Sequence, residues 1–383
     1  MADPHVSKVL SWRDPDGFVV TVGGRILRAV LKEKAEQIRS LLSAPWLSGL
    51  VAEGLVPRTV ELANPPPVME GMDRWMWLEH DVLPFPCYPH EVSALQLHDA
   101  GQLTLRIAVL AAQNGWTLKD ASAWNILHGS GRPVFVDVLS FERRTGANAW
   151  VAYGQFVRHF LLPLMVYRNL GITPTEIFTL NRDGITPERA FELIRGTSLL
   201  SATALEFVVL PKWLASAGGR KIAAETARPA ASAAGSLRVD LMLQTLRRLQ
   251  RKLTKLRPNQ ASVKSVWKEY EEDRSHYSDA DITAKRGFVR EHLQDAVSVL
   301  DLGCNAGEFS LLAAECGKAV LATDFDHAAL SRLYERIRGT DSTVTPCCST
   351  SRARHLPWDG KTVRWLVSSR GRQVGLTASW CWG

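Results

Sequence analysis

The segment that most constrains the fold of this chain spans residues 297–310, VSVLDLGCNAGEFS. It has the pattern of an apolar strand, a tight turn bracketed by Gly303 and Gly307, and the start of a helix. A second strand pattern at 319–324 ends in Asp324. Strand, glycine turn, helix and a second strand with a terminal acid form the nucleotide-binding half of a doubly wound α/β fold. We therefore predict a pocket at this turn, with the terminal acid placed to bind the hydroxyl groups of a ribose.

The composition of the turn favours a cofactor without phosphate groups. A dinucleotide site uses G-x-G-x-x-G, because the backbone must approach a pyrophosphate at a helix N-terminus. Here Asn305 stands in place of a glycine, and Glu308 puts a negative charge at the start of the helix, which repels a pyrophosphate. S-adenosylmethionine (SAM) has a ribose, an adenine and a sulfonium cation but no phosphate, so it is the predicted cofactor. A dinucleotide site and an ordinary βαβ unit with an incidental turn are the alternatives.

The same residues resemble a known motif. Residues 301–307, DLGCNAG, resemble the first motif of class I SAM-dependent methyltransferases, D-x-G-x-G-x-G, and Asp324 matches the acidic second motif of that superfamily. The resemblance implies that Asp301 and Gly303 border the methionine end of SAM and that Asp324 binds the ribose. The predicted cofactor-binding residues are Asp301, Gly303, Asn305, Gly307 and Asp324.

No catalytic residue can be named from the sequence. Methyl transfer is an in-line displacement that depends mainly on holding acceptor and donor at attack distance with water excluded. A general base helps only where the acceptor must lose a proton. Tyr277 and Lys285, which precede the first strand, are candidates for covering the cofactor. An ordinary position on a helix surface accounts for both equally well.

A second polar constellation lies in the first half of the chain. Asp120 is followed five positions later by Asn125, and a strand pattern then ends at Asp137. This spacing resembles the catalytic loop and metal-binding aspartate of the protein-kinase and aminoglycoside-kinase superfamily, where the first Asp orients a hydroxyl and the other two residues hold magnesium. The residues before the first Asp differ from the usual pair, and no glycine-rich phosphate loop with a downstream strand lysine is evident. A kinase-like fold without phosphoryl transfer, an active kinase, and a packed hairpin with capped turns all stay open.

Composition divides the chain into four parts. Residues 1–214 are predicted to form an α+β domain with the kinase-like trace. Residues 215–260 begin with an Ala-, Gly- and Ser-rich linker and continue into a basic amphipathic helix. Residues 261–345 hold the N-terminal half of a SAM-binding Rossmann-like domain, and 346–383 form an atypical tail. The predicted fold class is α/β: an incomplete Rossmann-like class I methyltransferase domain preceded by an α+β, kinase-like domain.

The tail is unusual in composition. Residues 346–383 hold three of the six cysteines and four of the thirteen tryptophans, and they show no sustained period beyond 362–367. A complete methyltransferase domain alternates strands and helices through seven strands, and we expect the residues after position 345 not to supply the remaining ones. We hypothesise that the tail is out of frame, which resequencing of the gene would test; a genuine but poorly folded tail is the alternative.

The basic helix and the bulk composition limit the partners and the compartment. Residues 243–257 place leucines at three- and four-residue spacing opposite a basic face, which suits a solvated linking helix or, as a second interpretation, contact with an anionic surface. No apolar run reaches the roughly 18 residues of a membrane helix, and no secretion signal is evident. The six cysteines lack C-x-x-C spacing, which argues against zinc and against a disulfide framework. We therefore expect no metal and a cytoplasmic protein.

Taken whole, the chain resembles a bacterial group of SAM-dependent methyltransferases with a long N-terminal extension, some of whose rhizobial members are named host-specific nodulation proteins. The resemblance rests on residues 88–91, 118–125, 135–142 and 301–307. It implies methyl transfer to an unidentified acceptor, in connection with nodulation signalling. A small-molecule kinase-like phosphotransferase and a non-catalytic SAM-binding regulatory protein are the alternative functions.

Overall fold

The computed structural model describes residues 6–11, 15–64, 74–144, 149–215, 235–259, 279–349, 364–367 and 375–377. An antiparallel five-stranded sheet opens the chain, in the order β1-β2-β3-β5-β4. Its strands are β1 (Val6–Ser11), β2 (Gly17–Val22), β3 (Arg25–Leu31), β4 (Thr59–Glu61) and β5 (Trp75–His80). A two-residue turn at Gly23-Gly24, a dipeptide typical of hairpins, joins β2 to β3. Gly23 and Gly24 have φ values of 57° and 80°, the conformation that two-residue hairpin turns require.

Helix α3 (Ala94–Gln113) is the central helix of the N-terminal part, after α1 (Ala35–Leu42) and α2 (Pro45–Ala52). The sequence pattern predicts one helix from Pro89, but a separate 3₁₀ turn precedes α3. The helix begins at position 94 because Ser93 and Gln96 form a capping box: each side chain accepts a hydrogen bond from the other residue's backbone N–H.

Four short strands follow α3. They are β6 (Trp116–Leu118), β7 (Ile126–Gly129), β8 (Arg132–Phe135) and β9 (Phe141–Arg143). Strand β6 pairs with β9, and β7 pairs with β8 in a hairpin. The two pairings fold residues 119–140 back on themselves, which brings the predicted kinase-like residues into one small region.

Helices complete the N-terminal part. They are α4 (Tyr153–Phe156), α5 (Leu162–Leu170), α6 (Pro174–Leu180), α7 (Pro187–Leu193), α8 (Ala202–Ala204), α9 (Leu210–Ala215) and α10 (Gly235–Lys255). A π-helical turn at 157–161 joins α4 to α5, and another at 205–209 joins α8 to α9. None of the helices in the described ranges is both long and apolar enough to cross a membrane.

Helix α10 contains the predicted basic helix, but it does not lie in solvent. One side of the helix is buried and packs against α3, through Leu243, Leu246, Leu249 and Leu253. The approach is close at Gly101, where a Cβ atom would lie 2.9 Å from Cδ2 of Leu253. This helix is therefore part of the N-terminal core rather than a solvated link. The Ala-, Gly- and Ser-rich segment 216–234 lies outside the described residues.

A second sheet follows, in the order β12-β11-β10-β13-β14. Its elements are α11 (Asp279–His292), β10 (Ser298–Leu302), α12 (Glu308–Glu315), β11 (Ala319–Asp324), α13 (His327–Ile337), β12 (Val344–Cys348), β13 (Arg364–Val367) and β14 (Gly375–Thr377). Strands β10, β11, β12 and β13 are parallel, and β14 is antiparallel to β13. The carboxyl ends of the parallel strands therefore meet at one edge of the sheet.

The two parts of the chain share an interface. The Asp99 carboxylate on α3 accepts a hydrogen bond from the Tyr334 hydroxyl at 3.0 Å and lies 2.9 Å from the Arg338 guanidinium. The Gln96 side chain donates to the carbonyl of Pro346 at 3.0 Å. Because Leu300, Leu321 and Cys347 belong to the same buried apolar cluster as the N-terminal helices, the parts pack as one body around that cluster.

Two expectations about the region near residue 345 need revision. Cys87 and Cys347 form a disulfide across the interface, although the sequence spacing argued against disulfides. They lie 260 positions apart, and only the docking of β12 on the loop before α3 brings them together. Strand β12 also runs across the boundary drawn at residue 345, because its neighbour β11 continues the pairing to Cys348. Strand β13 coincides with the one periodic stretch of the tail.

Candidate functional site

The predicted cofactor loop leaves β10 and enters α12 through a turn of left-handed residues. Gly303, Asn305 and Gly307 have φ values of 73°, 50° and 79°. The backbone N–H of Gly303 donates to the carbonyl of Thr323 at 2.8 Å, which ties the loop to β11. A Cβ atom at Gly307 would lie 2.3 Å from a methyl group of Leu333. Glycine is therefore required at that position by conformation and by space.

Asp301 lies at the end of β10 and is only 2 % exposed. Its Oδ2 accepts a hydrogen bond from the Ser310 hydroxyl at 2.6 Å, whereas its Oδ1 has no hydrogen-bond partner in the part of the chain that the structure describes. Burial raises the pKa of this carboxyl to about 6, and the nearby charge of Asp324 adds to the rise. A buried acceptor without a partner is costly unless a ligand satisfies it.

Asp324 lies at the tip of β11, beside the turn. Its Oδ2 accepts a hydrogen bond from the backbone N–H of Asn305 at 2.8 Å, and its Oδ1 accepts one from that of Asp326 at 2.9 Å. Each carboxylate oxygen has a second lone pair that can accept from a hydroxyl group. The side-chain oxygen of Asn305 is buried and lacks a partner among the described residues. The structure therefore brings all five predicted cofactor residues into one loop–strand unit.

Two exposed apolar side chains at this edge were missed in the sequence. Phe325, directly after Asp324, is 65 % exposed, and Leu302, directly before the turn, is 36 % exposed. An aromatic residue next to a strand-end acid was a signal that could have been used, because a planar ring beside a ribose-binding acid suits stacking by a purine. Both residues directly adjoin the predicted cofactor residues in the chain.

A neighbouring arginine partly offsets the negative charge at the start of α12. Glu308 carries the negative charge that disfavours a pyrophosphate, but the guanidinium of Arg286 on α11 lies 3.4 Å from its carboxylate. Lys285, a predicted covering residue, lies on the same helix. Tyr277, the other candidate, lies outside the described residues. The charge at this helix start is therefore partly offset.

A thiol–imidazole pair lies at the same edge of the sheet, at the end of β12. The Cys348 Sγ lies 3.4 Å from Nδ1 of His327, which begins α13. Burial lowers the pKa of His327, so its imidazole is neutral at neutral pH. Burial also raises the pKa of Cys304 far above its ordinary value, which keeps that thiol protonated. The Cys304 thiol is therefore an uncharged neighbour of the predicted cofactor loop.

The kinase-like residues are also brought together. The Asp120 carboxylate accepts a hydrogen bond from the backbone N–H of Ser122 at 2.8 Å. Burial raises its pKa, and the charge of Asp137 contributes. Asn125 donates to the Ser140 hydroxyl at 3.0 Å, and that hydroxyl donates to Asp137. The sequence spacing alone could not show this network, which depends on the β6–β9 and β7–β8 pairings.

Asp137, however, already has a cationic partner. The Arg28 guanidinium, on β3, lies 2.7 Å from the Asp137 carboxylate. The Arg28 side chain is only 9 % exposed. Arg28 also donates to His80, whose pKa burial lowers to about 3. In the described ranges, no group of three or more His, Cys, Asp or Glu side chains is arranged to hold a metal ion. The Asp137 carboxylate is thus already paired with a cation, which disfavours a magnesium ion beside it.

The comparisons with known proteins bear on the origin of the chain. No protein-family model matches it. The chain is 27 % identical over 352 residues to nodulation protein NoeA of Rhizobium meliloti (strain 1021), an alignment that covers 90 % of this chain and 72 % of that protein. The predicted relation to rhizobial nodulation proteins is therefore confirmed, while the name of that relative does not state a methyltransferase activity.

One similarity to a solved structure is weak. The structure of vaccinia related kinase 3 matches with a TM-score of 0.27 and 12 % identity, over 37 % of this chain. The chain spans about half of that structure's length, 53 %. A similarity at this level carries no argument about the fold.

Proposed function

We propose that this chain is a SAM-dependent methyltransferase, that its second sheet is the N-terminal half of a Rossmann-like methyltransferase domain, and that it acts in nodulation, as the name of its relative states for that protein. Support for the fold comes from four parallel strands in the order β12-β11-β10-β13, with the glycine turn after the first strand of the series. In such sheets ligands bind outside the carboxyl ends of the strands, where the strand order reverses. That point here is the end of β10.

The observation that carries the proposal is the buried, unpartnered Oδ1 of Asp301 beside the left-handed turn. A cation bound there would supply the missing partner and favour the ionised carboxylate. SAM carries an ammonium and a sulfonium group, whereas a pyrophosphate would add negative charge next to Asp301 and Asp324. The residues present therefore fit SAM.

The residues of this loop bind and orient the cofactor. Asp324 holds the ribose hydroxyls through the free lone pairs of its carboxylate, Phe325 covers the adenine, and Asp301 with the turn holds the methionine end. SAM, when bound, supplies an activated methyl group. The protein then has to exclude water and hold the acceptor in line with that group, which accounts for most of the rate enhancement in such displacements.

Titration calorimetry with SAM on the full chain tests the pocket. We expect Asp324→Ala to weaken SAM binding on the order of 10- to 150-fold, because charge-assisted hydrogen bonds of about 1.5–3 kcal/mol are lost. Asp81→Ala, an exposed aspartate remote from this edge, is the matched control and should leave binding unchanged. Wild-type protein that releases no heat with SAM, or an Asp324→Ala variant with unchanged affinity, would contradict the assignment.

Transfer of label from SAM to a cell extract separates a methyltransferase from a SAM-binding regulatory protein. Incorporation that disappears in Asp324→Ala supports catalysis. Tight binding without any incorporation supports the regulatory alternative.

A second candidate function is phosphotransfer by the N-terminal part. It is favoured by the assembly of Asp120, Asn125 and Asp137 in one network. Heat from ATP and magnesium that vanishes in Asp137→Ala would support it. We rank it second because Arg28 already pairs with Asp137.

A further inference from the structure

The helical run at residues 202–215 exposes large apolar side chains to solvent. Leu205, Leu210 and Trp213 are 44 %, 49 % and 48 % exposed. Leu210 lies five positions after Leu205, and Trp213 lies three positions after Leu210. Because the π-helical turn between Leu205 and Leu210 has a longer repeat than an α-helix, this spacing places them on one side of the run. Large apolar side chains gathered on one side of a helix mark an interaction surface.

Helix α10 lies beside this run and adds positive charge. The side chains of Arg248 and Lys252 lie 2.8 Å and 3.1 Å from the same carboxylate oxygen of Glu206. Glu206 follows Leu205 directly, so the pairs hold the two helices side by side and neutralise the acid between them. Arg247 and Arg251 are exposed and four positions apart, which puts them on one side of α10. Neither forms an ion pair with any residue in the described ranges.

We propose that these two helices dock the protein on anionic membrane surfaces. The contact consists of exposed residues from both helices, Leu205, Leu210, Leu241, Arg247 and Arg251, here called the leucine–arginine face. Leu241, on α10, is 48 % exposed. A surface that combines exposed leucines with arginines suits the boundary between charged headgroups and acyl chains. The leucines enter the apolar layer and the guanidinium groups pair with headgroup phosphates.

The leucines favour a membrane over nucleic acid as the occupant. A polyanion in water would use the arginines but would gain nothing from exposed leucines, and three of the five residues of the face are leucines. Single-stranded nucleic acid binds instead on rows of aromatic side chains. The net charge of +7 agrees with attraction to any anionic surface, so the leucines decide between the two.

Co-sedimentation of the full chain with vesicles tests the face. Vesicles of phosphatidylcholine mixed with phosphatidylglycerol should pellet the protein, and vesicles of phosphatidylcholine alone should pellet far less. The double variant Arg247→Gln with Arg251→Gln should weaken partitioning about 30-fold, because each basic residue near an anionic membrane surface contributes about 1 kcal/mol to binding. Leu205→Gln should weaken partitioning about fivefold, because the exposed half of the leucine side chain would no longer be buried in the apolar layer of the membrane.

Arg58→Gln with Arg290→Gln is the matched control, because it removes two exposed charges outside the face. It should partition like wild type. Circular dichroism on each variant checks that the fold is kept, which surface substitutions of this kind leave intact. Unchanged partitioning in the Arg247/Arg251 variant overturns the proposal. Equal binding to neutral and anionic vesicles, or arginine-dependent binding to RNA with no binding to vesicles, also overturns it.

Discussion

The disulfide between Cys87 and Cys347 joins the N-terminal part to strand β12, and its removal should lower the stability of the whole assembly. The bond can be removed in two ways: by reducing the wild-type protein, which leaves the sequence unchanged, or by Cys87→Ala. Both cysteines are fully buried. The first route isolates the effect of the bond, and the second adds the loss of packing at the interface.

The magnitude follows from the length of the closed loop. The two cysteines are 260 positions apart. Loop-closure entropy for a cross-link of this span predicts about 5–6 kcal/mol at 25 °C, and removal of native disulfides typically costs about 2–5 kcal/mol. We therefore expect reduction to lower the free energy of unfolding by at least 2 kcal/mol, on the same basis.

Urea unfolding followed by tryptophan fluorescence, with and without reductant, measures the difference. The reductant should shift the midpoint of the wild-type protein and leave that of Cys87→Ala unchanged. Cys316→Ser removes a free, partly exposed thiol and serves as the control, so its reductant response should match wild type. Identical wild-type midpoints with and without reductant would show that no such bond stabilises the fold and that the interface holds by packing alone.

Two further predictions concern the cofactor loop. Because burial raises the pKa of Asp301 from 3.8 to about 6, its protonated form contributes stability that is complete below about pH 4 and is lost as the pH rises through about 6. The loss approaches about 3 kcal/mol. Asp301→Asn, which stays neutral, should lack this loss in urea titrations between about pH 4 and 8 in the absence of SAM; a wild-type stability that is flat across this range would refute the assignment. Gly307→Ala should destabilise by about 1–3 kcal/mol more than Gly317→Ala, because both glycines have positive φ but only the first would clash with Leu333. Equal melting temperatures for the two variants would contradict the close approach.

Local chemistry made several elements predictable. The β2–β3 hairpin follows from Gly23-Gly24, and β11 ends at Asp324 as its pattern indicates. Helix α12 begins at Glu308, directly after the turn that ends at Gly307. The prediction that a helix begins at Pro89 was wrong for the first residues, because Ser93 caps the helix and α3 begins at Ala94. Such features depend on neighbours within a few positions, so the sequence carries them directly.

The functional predictions likewise separate into local features, which the sequence indicates, and long-range contacts, which it does not. The spacing of Asp301, Gly303 and Gly307 predicted a cofactor loop, and in the structure both glycines have left-handed backbone conformations. The spacing of Asp120 and Asn125 drew attention to the kinase-like loop, but nothing local to it indicated that Arg28 would pair with Asp137 from 109 positions away. The SAM assignment itself stays a prediction until binding is measured.

The sequence by itself determined where turns, caps and strand ends fall in this protein, because each is decided by backbone preferences and hydrogen bonds among adjacent residues. Only the tertiary structure decided that Asp301 is buried with an unsatisfied oxygen, that the basic helix α10 packs on α3, and that Cys87 meets Cys347. Those outcomes join residues far apart in the chain. They depend on which apolar surfaces pack together, and many pairings of such surfaces are compatible with the same local pattern.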